Sequence, residues 1–232
     1  MTALSYLVII FGYLALLLFI FGIIYRAWRW SRLPQGFSWG LFPKPTRWVV
    51  TSMLWKILAW PTLFKADRLL WAGALFFHLG LLVLFAGHLG SFIDIASLGE
   101  RIGIPSESSY VIGITAGTIV AITILFYISR RLFIRRSSEI SVFADHFWLW
   151  VLLVVVLVGI YSRVFHEVSS DAVRDFALSV VAFNPALPPQ NFWFLMHVLL
   201  SEFFIIYAVI GKPIHLVGQL FTQYILVSEE GS

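Results

Sequence analysis

Five stretches of this chain are apolar over lengths that suit a lipid bilayer: Leu4–Tyr25, Leu69–Ile93, Tyr110–Ser129, Phe147–Val164, and a last one that starts at Phe192 and reads as helix through Phe221. About 20 apolar residues span a hydrocarbon core. Inside it every backbone N–H and C=O must find a partner, which a helix supplies within its own segment. The sequence therefore predicts an all-α integral membrane bundle of five transmembrane helices. Residues 1–232 are expected to form a single membrane domain, with helices near 4–25, 69–93, 110–129, 147–164 and 192–221. Composition agrees: the chain is 60% hydrophobic and 12% charged, where a soluble domain carries about 25% charge. The first stretch has no basic residue before it and no small-x-small site after it, so it reads as a retained helix rather than a signal peptide.

Charge sets the expected orientation, because Lys and Arg concentrate in cytoplasmic connections. The segment 26–68 holds Arg26, Arg29, Arg32, Lys44, Arg47, Lys56, Lys65 and Arg68, and the third connection holds Arg130, Arg131, Arg135 and Arg136. The second and fourth connections mix Arg101, Arg163 and Arg174 with Asp94, Glu100, Glu107, Glu167, Asp171 and Asp175. The N-terminus is then outside, the C-terminus cytoplasmic, and the location the cytoplasmic (inner) membrane. The net +4 charge reports this orientation and gives no reason to expect nucleic acid. Within the long inner connection, Met53–Leu63 carries Trp55, Lys56 and Trp60 and is broken at Pro61. It reads as a helix lying in the cytoplasmic interface. With no cysteine, the chain holds no disulfide, iron–sulfur cluster or covalently attached haem.

Four histidines lie within the apolar segments at two spacings. His78 and His88 are ten apart on the second helix; His197 and His215 are eighteen apart on the fifth. Eighteen residues are five turns, so His197 and His215 share a face, ~27 Å apart; ten residues separate His78 from His88 by ~15 Å in height. With these two helices antiparallel, depth pairs His78 with His215 and His88 with His197. Two axial imidazoles per iron is the arrangement of b-type haem, and two stacked haems carry electrons across the hydrocarbon layer. A single intramembrane His is more often a packing residue; four paired by depth favour ligation. Zinc is a poor rival, because four side chains spread over ~15–27 Å cannot meet at one ion. Gly73, Gly80, Gly87, Gly90, Gly113 and Gly117 supply close helix packing, room for a macrocycle, or both. His146 and His166 open and follow the fourth helix and read as interface residues. His166 with Glu167 is nevertheless a candidate proton relay at an outer quinone pocket. Glu202, inside the fifth helix, is either a neutral packing residue or a proton carrier in quinone chemistry.

The segment FHLGLLVLFAGHLG (Phe77–Gly90), the stretch His197–His215 and RRLF at Arg130–Phe133 resemble the gamma subunit of respiratory nitrate reductase. Nearly the whole chain resembles the related DsrM-type cytochrome b subunit of the sulfite-reduction-associated membrane complex. That likeness includes YRAWRW (Tyr25–Trp30), DRLLWAG (Asp67–Gly73) and FALSVVAFNPALPP (Phe176–Pro189). The resemblance implies a quinol- or quinone-reactive subunit with two haem b, whose iron ligands are His78, His88, His197 and His215. It places Arg130, Arg131 and Lys212 where the inner haem's propionates would lie, although ordinary positive-inside anchoring explains them equally well. The implied partner is a cytoplasmic iron–sulfur subunit of heterodisulfide-reductase-like type, with room for further membrane or extracytoplasmic subunits. In the nitrate reductases that partner serves a molybdenum enzyme. The nitrate reductase pattern has a basic residue just before its third helix, near the quinol site; Ser106, Glu107 and Ser108 stand here instead.

The leading expectation is a membrane oxidoreductase subunit that exchanges electrons between quinone, menaquinone in particular, and that partner in respiratory sulfur metabolism. The quinone site is expected beside the outer haem, near Gly87 and His88, with Glu202 and His166 handling protons. The partner is expected on the cytoplasmic face, against the 26–68 connection and the tail after Lys212. One rival is the gamma subunit of a nitrate reductase. A rival of another class is a transporter or channel with a pathway lined by His and Glu202, and a third is a structural anchor for a soluble enzyme.

Overall fold

The computed structural model describes residues 2–32, 47–93, 95–101, 103, 105 and 108–211. The described residues form ten helices: α1 Thr2–Ser31, α2 Arg47–Ala59, α3 Pro61–Ala66, α4 Arg68–Leu89, α5 Ile95–Arg101, α6 Ser108–Phe133, α7 Arg135–Glu139, α8 Phe143–Phe165, α9 Ser170–Val181 and α10 Phe192–Ile210. Among them α1, α4, α6, α8 and α10 are long and apolar enough to cross a membrane. The fold class is all-α, and the chain is a multi-pass membrane protein. Large apolar side chains on these helices, Leu82, Phe85, Val111 and Ile122 among them, are exposed. Water tolerates little such surface; lipid tails are its natural solvent. The expected extension of the last helix to Phe221, and the residues His215 and Lys212, lie outside the described residues.

The chain divides into two compact units. One comprises the residues up to Tyr13 together with Ala72–Phe204. Its centre is α6, where Val120, Ala121, Ile124 and Ile128 pack with Leu153 and Val156 of α8, and Phe77, Leu81 and Leu84 of α4 close over them. Small residues set the spacing. A Cβ at Gly80 would lie 2.6 Å from Val120 Cγ2, and one at Gly117 would lie 3.0 Å from Ile160 Cγ1. These two glycines therefore serve close helix contact, the van der Waals packing that holds helices together in lipid. At the ends of α8 and α10, polar caps satisfy the groups that a helix leaves unpaired. Asp145 Oδ2 accepts from Val142 N at 3.2 Å, and Asn191 Oδ1 accepts from Trp193 N at 3.0 Å and Phe194 N at 3.2 Å. Helix α9 has no counterpart in the sequence-based expectation. Ser169 caps it, accepting from Ala172 N, and its Phe176 is buried with Val8 of α1 and Leu195 of α10.

The second unit comprises Leu14–Trp71 and the residues from Ile205 on. The apolar stretch expected to break at Pro61 does so: α2 ends at Ala59 and α3 begins at Pro61. Proline drives its predecessor out of the α region, and Trp60 takes φ 44, ψ 55. Trp71 ties the start of α4 to this pair, its Nε1 donating to Ala59 O at 2.8 Å while its ring meets Phe64 edge-on at 5.0 Å. Asp67 caps α4, accepting from Leu70 N at 2.8 Å.

Candidate functional site

Three of the four expected ligands are described, and each is oriented by a backbone carbonyl. Nδ1 of His78 lies 2.8 Å from Ala74 O, Nδ1 of His88 lies 2.6 Å from Leu84 O, and Nδ1 of His197 lies 3.1 Å from Val155 O. A carbonyl oxygen only accepts, so in each ring Nδ1 carries the proton and Nε2 keeps its lone pair. That tautomer, fixed by a hydrogen bond from the other ring nitrogen, is the one a metal-ligating imidazole uses. On α4 the two carbonyls belong to the residue one turn back, so the helix itself aims both rings. His197 reaches instead to the neighbouring α8.

His88 and His197 face each other, with ring centres 5.9 Å apart and planes inclined by 32°. Two imidazoles on opposite sides of one metal ion, each with a bond of about 2 Å, have ring centres roughly 6 Å apart. At that separation the pair would suit holding one iron between the two imidazoles. His78 sits ten residues earlier on α4, ~15 Å along the axis, with its ring edge-on to Phe77. Among the described residues no three His, Cys, Asp or Glu side chains converge. A zinc ion takes three or four protein ligands, whereas a haem iron needs only axial ones. Beside His88, a Cβ at Gly87 would meet nothing within 4 Å, so this stretch of α4 leaves room for a flat ring system.

Gly159 makes the position of His197 possible. A Cβ on it would lie 2.7 Å from Cε1 and 3.0 Å from Nδ1 of His197. With only hydrogen there, the imidazole lies against the backbone of α8 and reaches Val155 O one turn back. Neither residue is singled out by histidine spacing. The available signal was slight: Gly159 interrupts the aliphatic run Val151–Val158, and an isolated helical glycine often has a packing or functional reason.

Glu202 is buried and turns toward α1, not toward His197: a Cβ at Gly12 would lie 2.9 Å from its Oε1. Its Oε2 is shielded from solvent and has no hydrogen-bond partner among the described residues. His166 caps α8 within an aromatic group, stacked on Trp193 at 6.2 Å and 5.5 Å from the Tyr161 ring; its carbonyl accepts from Asn191 Nδ2 at 3.0 Å. Arg131 donates to Ser141 Oγ at 2.7 Å and lies 3.5 Å from Asp145 Oδ2. Its guanidinium is thus engaged in holding the α6–α8 connection. Arg130 covers the Phe126 ring at 5.7 Å.

Two curated relatives are similar to this chain. One is the Hdr-like menaquinol oxidoreductase cytochrome b-like subunit of Archaeoglobus fulgidus, 27% identical over an alignment of 263 residues that covers 92% of this chain and 78% of the relative. The other is the protein of the same description from Archaeoglobus profundus, 25% identical over 202 residues, covering 78% of this chain and 60% of the relative. A family model described as the nitrate reductase gamma subunit matches residues 41–228, most of the chain, and the protein belongs to that family.

Proposed function

We propose that this chain is a di-haem cytochrome b subunit of a membrane oxidoreductase, exchanging electrons between menaquinol and a cytoplasmic iron–sulfur partner. The observation that carries the reading is the His88–His197 pair, with each Nδ1 committed to a carbonyl and ring centres 5.9 Å apart. His78 is the other ligand on α4, and His215, outside the described residues, completes its pair. Haem held by these imidazoles supplies one-electron oxidation and reduction at iron. The names of the two Archaeoglobus relatives support menaquinol as the substrate and a multi-subunit complex. A nitrate reductase partner is the second reading, favoured by the family description.

Orientation follows from charge. Arg130, Arg131, Arg135 and Arg136 gather where α6 ends and α7 begins, and this charge supports a cytoplasmic position for that end, with His88, His197 and the N-terminus toward the outside of the inner membrane. A quinol that gives two electrons also gives two protons, so the chemistry at the His88 end releases protons outside, or takes them up in reverse. The experiment is purification of the chain from native membranes. A reduced-minus-oxidised visible spectrum of haem b, reducible by a menaquinol analogue, with an iron–sulfur protein co-purifying, is the expected result. A chain free of haem would overturn the reading in favour of a transporter or an anchor.

Glu202 is the proposed proton carrier for this chemistry, because its Oε2 has no internal partner among the described residues. General acid–base participation is worth roughly 10²–10⁴-fold. Glu202→Gln is therefore expected to slow quinol oxidation at least about tenfold with haem content unchanged. Full activity with unchanged haem would leave Glu202 as a residue that packs against α1 at Gly12. His166, held against Trp193 and Tyr161, is the companion candidate at the outer surface.

A further inference from the structure

Helix α8 carries a charged side chain one turn beyond the contacts that seat His197. Val155, Gly159 and Arg163 are spaced four apart, so they share one face. Val155 O and Gly159 seat the His197 imidazole. Arg163 stands one turn beyond Gly159, ~6 Å along the axis. Its guanidinium lies over the Tyr110 ring of α6 at 5.7 Å, and a Cβ at Gly113 would lie 3.7 Å from its Nε. The side chain is thus pressed between α8 and the start of α6. Its Nε is shielded from solvent and has no hydrogen-bond partner among the described residues. Glu167, Asp171 and Asp175 are close in sequence, yet Arg163 forms no ion pair with a described residue, and its guanidinium meets the Tyr110 ring instead. A guanidinium cannot shed its charge and offers five N–H donors in a fixed fork. Holding the shielded Nε–H of that fork without an acceptor is costly, so this position calls for an oxygen ligand.

We propose that Arg163 is the oxygen-binding cation of the His88–His197 site, its guanidinium taking a carboxylate or carbonyl oxygen presented between α6 and α8. Two sources offer that chemistry at this depth: a propionate of the haem held by His88 and His197, and the ring oxygen of the quinone. The inference rests on the reading of His88 and His197 as ligands. The cation–π contact with Tyr110 holds the guanidinium ready without using its in-plane donors, and Gly113 lets its Nε lie against the α6 backbone.

The test uses Arg163→Gln and Arg163→Lys in the intact membrane complex, alongside His197→Ala. Two quantities are read: the midpoint potential of the haem that His197→Ala removes, and the KM for a short-chain menaquinol analogue. A fall in that potential with KM unchanged identifies the propionate, because a lost cation no longer favours the reduced, more negative state. A KM raised about tenfold or more with the potential unchanged identifies the quinone, the loss being that of a charge-assisted hydrogen bond. Arg163→Lys keeps the charge but not the fork, so it is expected to show the KM effect undiminished and the potential effect in smaller measure. It also keeps the measurement possible if the glutamine variant fails to assemble. Unchanged potential and KM in both variants would overturn the proposal. If His197→Ala itself left both haems in place, the ligand assignment would fail instead, so the two failures are distinguishable.

Discussion

His197→Ala is expected to remove one haem b and spare the other, and His88→Ala to remove the same one. The reason is geometric. The two rings face each other at 5.9 Å, close to the roughly 6 Å of two imidazoles sharing one metal ion, while His78 lies ~15 Å away along α4. Haem content should therefore fall by about half in either variant, because one lost axial bond releases only its own iron. The double variant should lose nothing further, since residues acting as one unit are not additive. A pyridine haemochrome assay gives the content, and the difference spectrum shows which absorption band has gone. If His78→Ala and His197→Ala abolished one and the same haem, the pairing by depth would be wrong.

The second large effect belongs to a residue with no chemistry of its own. Gly159→Ala adds one methyl group to an α-helix, which in open helical positions stabilises by roughly 0.5–1 kcal/mol. Here that methyl would lie 2.7 Å from His197 Cε1, so the imidazole must leave the α8 backbone and give up Val155 O. Overpacking of this kind costs about 1–3 kcal/mol, and losing the partner that orients a metal ligand costs roughly 10–100-fold in affinity. The expected outcome is partial loss of the haem that His197→Ala removes, with a shifted spectrum in what remains. Gly117→Ala is the control, since it crowds Ile160 of the same helix α8 from the side of α6 and its nearest neighbours, Ile160 and Val156, include no histidine. It should lower thermal stability and leave both haems spectrally unchanged. An unaltered spectrum and haem content in Gly159→Ala would show that the contact has no part in seating the ligand.

The residues at the centre of this site were legible because period and depth are properties of a single helix. Helix period and the antiparallel run of the two helices put His88 and His197 at one depth, and their ring centres lie 5.9 Å apart. The positions of the five long helices were legible for the same reason: the bilayer imposes a length, and the chain writes it as apolar runs. The break at Pro61 was legible too, because proline constrains its predecessor wherever it stands. Helix α9 was not. Its twelve residues are too few to span a bilayer and mix charge with apolar positions, so nothing in a hydropathy reading separates it from a loop. It becomes a helix of consequence only through Phe176, which fills the space between Val8 and Leu195.

The sequence by itself determined that this is an all-helical membrane protein with depth-matched histidines, since helix length, spacing and charge asymmetry need no knowledge of neighbours. Only the tertiary structure decided which side chains support those histidines. Val155 O and Gly159 seat His197 because one face of α8 turns toward it. Glu202 meets Gly12 of α1 because its own face of α10 turns that way. In lipid there is little hydrophobic preference for one apolar face over another, so the rotation of each helix is set by close packing at small residues, and that information resides in pairs of helices rather than in either one.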